Sequence, residues 1–403
     1  AWLGGCENVS YYSVSGASSG GNAGPGAGPG AGPGAGPGGG AGGTATRAEV
    51  LAAVASCTTE LYGEFAAAAE AFSVAADTAA SAPTQENLDA ARESWKLAIG
   101  LWQQAEPMRV GPAGPATVPG GEGQRDLVYS WPLVSRCLTD QTIVSEAYEA
   151  PSFAQSALIN VRGLDAAEYL LFYAGDSNAC SSSAAINANG TWAALGSAEL
   201  AARRRAYAAV VAADVAAQGK DLHAAWQSGF AAELADAGAS GSGFGSEQIA
   251  LNAVSDGLFY LEREVKDLKL GKPLGLYECT EASCPEAVES QYALVSREHV
   301  VNNLKGFQRI YAGCEASGGV GFDDLLRSLG AGSLADRMET DLAAAIGTAE
   351  AFPTSDLRAG LAKHRTEFVA LHAAVKKLTD ELKTDFVTVL DLELPNIVEG
   401  DND

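Results

Sequence analysis

Two carboxylates stand out in the stretch VRGLDAAEYLLFY (residues 161–173), because almost all of their neighbours are apolar. Asp165 and Glu168 are three residues apart, so on a helix their side chains share one face, with Cβ atoms about 5–6 Å apart. A carboxylate buried in an apolar helix must be paired, protonated or bound to a cation. Two such groups facing a bundle interior can hold a metal ion, or they can serve as a general acid and base.

A structural ion network is the alternative explanation for the same two carboxylates. Arg162 lies three residues before Asp165 and could pair with it. Glu106 and Arg109 end an earlier helical stretch and could join this network. The residue pattern alone leaves both the network and a cation or ligand site open. No nucleophile elbow, phosphate loop or HExxH zinc motif occurs in the sequence.

Apolar residues at helical spacing indicate the elements that must position these carboxylates. Stripes of this kind run from Val50 to Phe72, from Leu88 to Trp102, from Leu251 to Leu268 and from Leu357 to Leu382. Pro151 opens the stretch that contains both carboxylates, and we expect one helix from there onward. No strand-like alternation of any length interrupts this pattern. The sequence therefore predicts an all-α fold.

A faint internal repeat predicts how the helices are organised. LWQQAEPMRVG (residues 101–111) aligns without a gap on LEREVKDLKLG (residues 261–271). Two related, pseudo-symmetric halves resembling four-helix bundles would produce such a match. We therefore divide the folded part into a first bundle, residues 44–243, and a second bundle, residues 244–403.

The beginning of the chain resembles an export signal followed by a tether. LGGC follows an apolar start and looks like a lipobox, so residues 1–10 read as a signal-peptide remnant in which Cys6 would be lipidated. Residues 11–43 are rich in glycine and proline, with four AGPG repeats, and predict a disordered linker. No later segment offers about 20 uncharged apolar residues, so the expected membrane attachment is the lipid alone.

The remaining cysteines indicate disulfides, because six is an even number and the start of the chain indicates export. Six cysteines allow 15 connectivities. Cys279 and Cys284 are close enough in sequence to pair locally. The sequence leaves open how the other four pair, and Cys137 with Cys180 and Cys57 with Cys314 is one choice.

The charge balance bears on partners. The chain carries 50 acidic against 26 basic residues, for a formal net charge of −24. A surface of this sign repels a phosphate backbone, so we expect no nucleic-acid partner.

The stretch GLDAAEYLLF resembles the core motif of the imelysin family of bacterial envelope proteins, Gly-x-His-x-x-Glu in a buried helix. Gly163 and Glu168 match in register, whereas Asp165 occupies the histidine position. Further resemblances follow in order along residues 50–403: WKLAIGLWQQAEPMRVGP, YSWPLVSRCLTDQ, KDLKLGKPLGL, NNLKGFQRIYAG, GFDDLL and EGDND.

This resemblance implies two pseudo-symmetric helical halves, export to the bacterial envelope facing the periplasm or the surface, and a role in iron or metal acquisition. It also implies a metal or small-ligand site at Asp165 and Glu168, with Glu106, Arg109, Arg162 and Gly163 lining or supporting it. An all-oxygen pair suits a hard cation such as ferric iron, calcium or manganese.

The expected partners are therefore the membrane, through the lipid, a metal ion or iron complex, and an envelope protein. The alternatives are a metallopeptidase that uses Glu168 as its base and a scaffold lipoprotein with a degenerate site. We assign no catalytic residue.

Overall fold

A computed structural model describes residues 43–395, and within this range the chain is helical without any β-strand. The predicted all-α class is confirmed. The lipobox with Cys6, the linker up to residue 42 and the ending EGDND lie outside the described residues.

The helices up to residue 235 share one feature, which is that two of them are much longer than the rest. They are α1 (Arg47–Ser81), α2 (Gln85–Ala105), α3 (Gln124–Val128), α4 (Arg136–Ser145), α5 (Phe153–Ser156), α6 (Gly163–Phe172), α7 (Ala185–Ala188), α8 (Thr191–Ala225) and α9 (Ala231–Ala235). A π-helical turn, Trp226–Phe230, joins the last two, and short 3-10 turns lie at Glu106–Met108, Gly111–Ala113, Ala147–Glu149 and Ile159–Val161.

Helices of intermediate length form most of the remainder. They are α10 (Glu247–Leu258), α11 (Lys272–Leu274), α12 (Ser296–Tyr311), α13 (Phe322–Ser328), α14 (Gly332–Glu350), α15 (Leu357–Lys363), α16 (Arg365–Glu381) and α17 (Val387–Leu390). Two π-helical stretches, Leu261–Gly271 and Leu382–Phe386, and 3-10 turns at Pro285–Ala287 and Glu315–Ser317 connect them.

The ends of the first two helices follow from local sequence. Thr46 and Glu49 form a capping box at the start of α1, which satisfies two backbone donors that the helix leaves free. The Thr84 side chain accepts from the backbone N–H of Asn87 and caps α2. Pro107 follows the end of α2, as expected for a residue that cannot continue a helix.

The helix that carries the two carboxylates is shorter than the sequence predicted. A single helix opened by Pro151 is wrong, because the chain breaks after Ser156 and α6 begins only at Gly163. Gly163 has a φ of 83°, and a Cβ atom there would lie 2.8 Å from the carbonyl oxygen of Val128. A left-handed conformation and a close backbone approach both require glycine at this position.

Packing brings distant parts of the sequence together around α1 and α2. Helix α1 packs along α2 and α8, α6 packs against α8, and α2 also packs against α12. The expected disulfides Cys57–Cys314, Cys137–Cys180 and Cys279–Cys284 are confirmed. The division into two pseudo-symmetric bundles at residue 243 stays a prediction. Between residues 43 and 395, no helix is long and apolar enough to cross a bilayer.

Candidate functional site

A cavity of about 330 Å³ lies beside α6. Four stretches of the chain line it, and they contribute Tyr129, Trp131, Pro132, Val134 and Arg136; Asp165, Glu168 and Tyr169; Leu268 and Lys272; and Glu286, Ala287, Val288, Ser290, Gln291 and Tyr292. We call the last of these stretches, residues 286–292, the cavity wall. The volume of the cavity lies near the lower end of the range for small-molecule sites, about 300–1,000 Å³.

Asp165 faces this cavity from the first turn of α6 and is only 6% exposed. Its Oδ2 accepts a hydrogen bond from Ser130 Oγ at 2.9 Å, and its Oδ1 accepts from the backbone N–H of Ala166 at 3.0 Å. Burial raises the pKa of Asp165 to about 7, although these hydrogen bonds oppose the rise. The carboxyl group therefore changes its charge near neutral pH.

Glu168 lies one turn further along α6 and is 4% exposed. Its Oε1 accepts hydrogen bonds from the backbone N–H groups of Tyr292, at 2.9 Å, and Ala293, at 3.0 Å, and from Ser290 Oγ at 3.2 Å. Burial raises the pKa of Glu168, and the two backbone donors pull it back. Glu168 thus holds the cavity wall through one oxygen, while no residue from 43 to 395 donates a hydrogen bond to Oε2.

A buried ion cluster lies directly behind the cavity. Glu289 Oε2 is 2.9 Å from Lys269 Nζ and 3.1 Å from His299 Nδ1, and its Oε1 accepts from Tyr129 Oη at 2.5 Å. Lys269 also donates to Gln103 Oε1 at 2.7 Å. Burial would raise the pKa of Glu289, but the nearby lysine and histidine hold it well below its usual range.

This cluster was not predicted from the sequence. Lys269 lies in KDLKLG, where the surrounding leucines and valine mark an apolar helix face, and a lysine on such a face is a signal for a buried partner. The identity of the partner, 20 residues away in an irregular segment, has no comparable local signal.

The four residues expected to line or support the site lie elsewhere. Arg162 pairs with Asp214, not with Asp165, so the proposed link between Arg162 and Asp165 is wrong. Gly163 sets the start of α6, as described above. None of Glu106, Arg109, Arg162 and Gly163 lines the cavity.

Glu106 and Arg109 take part in ion pairs, as the structural alternative predicted, but in separate ones. Glu106 pairs with Arg125 at 3.2 Å and also accepts from Trp102 Nε1 at 2.6 Å. Arg109 pairs with Glu264 at 2.9 Å. The first pair joins the end of α2 to α3, and the second joins the segment after α2 to the π-helical stretch Leu261–Gly271.

The donor set at the cavity is small for a metal ion. Across the described part of the chain, no group of three or more histidine, cysteine, aspartate or glutamate side chains is arranged to hold one. Asp165 and Glu168 offer two carboxylates, so any cation bound here would take its other ligands from water or from a companion molecule.

The sequence is similar to one protein family and to a protein of known name. The family model described as imelysin, Peptidase_M75, matches residues 58–384. The iron-regulated protein A of Synechococcus elongatus is 26% identical over 283 residues, which cover 69% of this chain. The match spans 65% of the length of that relative.

Two solved structures share the fold. An imelysin-like protein from Psychrobacter arcticum 273-4 superimposes with a TM-score of 0.65 at 18% identity, covering 88% of this chain and 99% of the other. A protein from Parabacteroides distasonis ATCC 8503, proposed to be an iron-regulated protein A precursor, also superimposes with a TM-score of 0.65 at 18% identity. The superposition covers 87% of this chain and 96% of the other.

Proposed function

Because this chain belongs to the imelysin family, we propose that it is an exported binding protein that takes a metal-bearing small ligand into the cavity beside α6. Iron is the metal we favour, since the relative from Synechococcus elongatus is named as an iron-regulated protein. In this proposal the ligand is cargo for acquisition, and the protein does not transform it.

One observation carries the proposal, namely that two buried carboxylates one turn apart line the same cavity. Asp165 and Glu168 are each less than a tenth exposed, yet neither forms an ion pair with a basic residue of the described chain. Burying such groups is costly unless a cation or a proton compensates them. Carboxylate oxygens are the ligands that hard cations prefer.

The contacts of Glu168 limit how it would bind the cation. Its Oε1 already accepts from Ser290, Tyr292 and Ala293, so Oε2 is the oxygen left for a metal. Asp165, which replaces the histidine of the family motif, would supply the second ligand. A hard cation takes six or more oxygen ligands, and most of them would come with the cargo.

A metallopeptidase that uses Glu168 as its base fits these residues less well. Catalytic zinc sites use three protein ligands and an open position for water. The cavity offers two buried carboxylates, and one of them, Glu168, is engaged in holding the cavity wall.

We also propose that the protein works in the bacterial envelope, facing the periplasm or the surface. The three disulfides favour an oxidising compartment. A lipid on Cys6 would keep the protein at the membrane, where an envelope protein could receive the cargo. Mass spectrometry of the native envelope fraction tests the lipid, and an unmodified Cys6 would contradict it.

Calorimetric titration of the full chain with ferric citrate and with Mn²⁺ tests the binding site. We expect Asp165→Ala and Glu168→Ala each to weaken binding about tenfold or more, since contacts to charged groups contribute about 1.5–3 kcal/mol. Asp89→Ala, which removes an exposed carboxylate on α2, is the matched control. Equal affinity in the wild type and both site variants would rule out this site.

A further inference from the structure

Arg136 lies at the edge of the cavity and is held there by aromatic rings. Its guanidinium carbon is 5.3 Å from the ring centre of Tyr169, 5.7 Å from that of Tyr173 and 5.2 Å from that of Tyr292. The three rings also pack on one another, with centres 5.1–5.6 Å apart. Cation–π contacts of this kind fix the position of an arginine without consuming its hydrogen-bond donors.

No carboxylate neutralises this arginine. Throughout residues 43–395, no carboxylate oxygen lies within ion-pair distance of Arg136, and its Nε is buried without a hydrogen-bond partner. Burial raises the pKa of Asp140, and the nearby charge of Arg136 is a small opposing influence. The two oxygens of Asp140 accept from Tyr169 Oη at 2.7 Å and from the backbone N–H of Ala179 at 2.8 Å.

Lys272 adds a second positive charge to the same cavity. Its ion-pair partner is Glu278, at 3.5 Å, and both side chains are partly exposed, at 33% and 61%. An exposed ion pair at this separation contributes little to stability, so Lys272 can leave Glu278 and contact a ligand at a small cost in free energy. The cavity lining therefore includes two buried carboxylates, Asp165 and Glu168, one exposed carboxylate, Glu286, and two cationic side chains.

We propose that Arg136, assisted by Lys272, forms a subsite for a carboxylate group of the ligand. The cargo is then a metal ion together with a small di- or tricarboxylate chelator, with the metal at Asp165 and Glu168 and a chelator carboxylate at Arg136. This inference rests on the proposed metal-binding function. The planar fork of arginine matches a carboxylate through two parallel hydrogen bonds.

The size of the cavity agrees with a chelated cargo. A volume of about 330 Å³ exceeds the space of a lone cation with a few waters, each of which occupies about 30 Å³ of liquid. The chelator also supplies the coordination that two protein carboxylates leave open. Its negative charge would otherwise be repelled by an acidic protein, and Arg136 offsets that repulsion locally.

The experiment titrates the full chain with metal-free citrate, ferric citrate and inorganic phosphate in separate runs. We expect Arg136→Gln to weaken ferric citrate about 10- to 100-fold, the loss typical of a charged hydrogen-bonded contact. Arg136→Lys keeps the positive charge but lacks the planar guanidinium. Its affinity for ferric citrate should lie between those of the wild type and Arg136→Gln. Arg337→Gln removes an exposed arginine of α14 and serves as the charge-matched control. Thermal unfolding of each variant reports whether the tyrosine cluster still folds.

The separate ligands identify the source of the carboxylate. If the wild type binds metal-free citrate and Arg136→Gln binds it more weakly, the subsite also accepts the free anion. Binding of ferric citrate alone, again lost in Arg136→Gln, restricts the subsite to the chelate. A folded Arg136→Gln or Arg136→Lys protein with wild-type affinity for both overturns the inference. No binding of either citrate form by the wild type, or phosphate competing as well as citrate, also overturns it.

A second pair of variants separates this inference from the proposed function. The double substitution Asp165→Asn with Glu168→Gln should weaken the binding of ferric citrate. It should leave the affinity for metal-free citrate unchanged or make it higher. If it leaves ferric citrate unaffected while Arg136→Gln still weakens it, the metal site is wrong and the carboxylate subsite stands. If only the double substitution has an effect, the metal site stands and the subsite is wrong.

Discussion

Glu168 Oε1 accepts a hydrogen bond from the backbone N–H of Tyr292 at 2.9 Å, across 124 residues of sequence. Together with the donors Ser290 and Ala293, this contact fixes the cavity wall to α6. The residue expected to bind a cation therefore also builds the cavity in which the cation would be held.

Replacing Glu168 by alanine should destabilise the protein even without any ligand. Each buried donor left without an acceptor costs about 1–3 kcal/mol, and two backbone N–H groups and one hydroxyl lose theirs. We expect the free energy of unfolding to fall by at least about 2 kcal/mol in urea denaturation. Ser290→Ala removes one donor and leaves Glu168 bonded to both amides, so it should cost about 1 kcal/mol. Equal losses of unfolding free energy in the two variants would contradict the role of Glu168 in fixing the cavity wall to α6.

Asp165→Asn should change how the stability of the metal-free protein depends on pH. Burial raises the pKa of Asp165 to about 7 from an ordinary 3.8, so between these values the folded state binds more protons than the unfolded state. The free energy of unfolding therefore falls as pH rises through this window, by at most about 4 kcal/mol. Asparagine does not titrate and lacks this fall.

Urea denaturation of both proteins from pH 4 to pH 8, in the presence of a chelator, measures the difference. The stability of Asp165→Asn relative to the wild type should rise steadily with pH. Asp89→Asn, at an exposed position, should give a constant difference between pH 5 and pH 8. Parallel curves for Asp165→Asn and the wild type across pH 4–8 would refute a raised pKa at Asp165.

The buried pair of Lys269 and Glu289 should tolerate loss of both charges better than loss of one. Lys269→Met leaves the Glu289 carboxylate without its lysine in the interior, and a buried pair broken in this way costs about 3–5 kcal/mol. Lys269→Met combined with Glu289→Gln removes the uncompensated charge and should recover part of that loss.

A double-mutant cycle on urea denaturation measures this coupling. The exposed pair Lys305–Glu350 is the control, because replacing Lys305 by methionine should cost less than about 1 kcal/mol. Additive losses at Lys269 and Glu289 would show that the two side chains are not coupled.

The disulfide Cys57–Cys314 should contribute more to stability than Cys279–Cys284. The first joins cysteines 257 residues apart and the second joins cysteines 5 residues apart. By the chain-entropy relation, the longer loop is worth about 5.5 kcal/mol and the shorter about 2 kcal/mol. Urea denaturation of the two double Cys→Ser proteins compares them, and an equal loss would mean that loop length does not govern the effect here.

The sequence predicted those features that local patterns encode. Apolar spacing located α1, α2, α10 and α16, because the residues that form such a stripe lie within one helix. Asp165 and Glu168 were found because two acids in an apolar run are a local signal. Gly163 drew attention as part of a motif, but its left-handed backbone, which ends the expected longer helix, had no local sign.

What the sequence could not predict depends on contacts between remote segments. Arg162 has Asp165 three residues away, yet it pairs with Asp214, 52 residues along the chain, because α8 packs against α6. The cavity wall has no helical periodicity, and its place is set by Glu168 and Lys269 on other elements. Tertiary packing decides such pairings, and residue spacing does not record it.

The three disulfides also determine what a protease can release from this protein. Cys137–Cys180 and Cys279–Cys284 both lie within the span closed by Cys57 and Cys314, so the crosslinks are nested. A single cut anywhere between residues 57 and 314 opens a ring and frees no fragment. On a gel without reductant the nicked chain keeps its full mass, and only a reductant separates the pieces. A nick in any connecting loop between residues 57 and 314 therefore leaves the two pieces covalently joined.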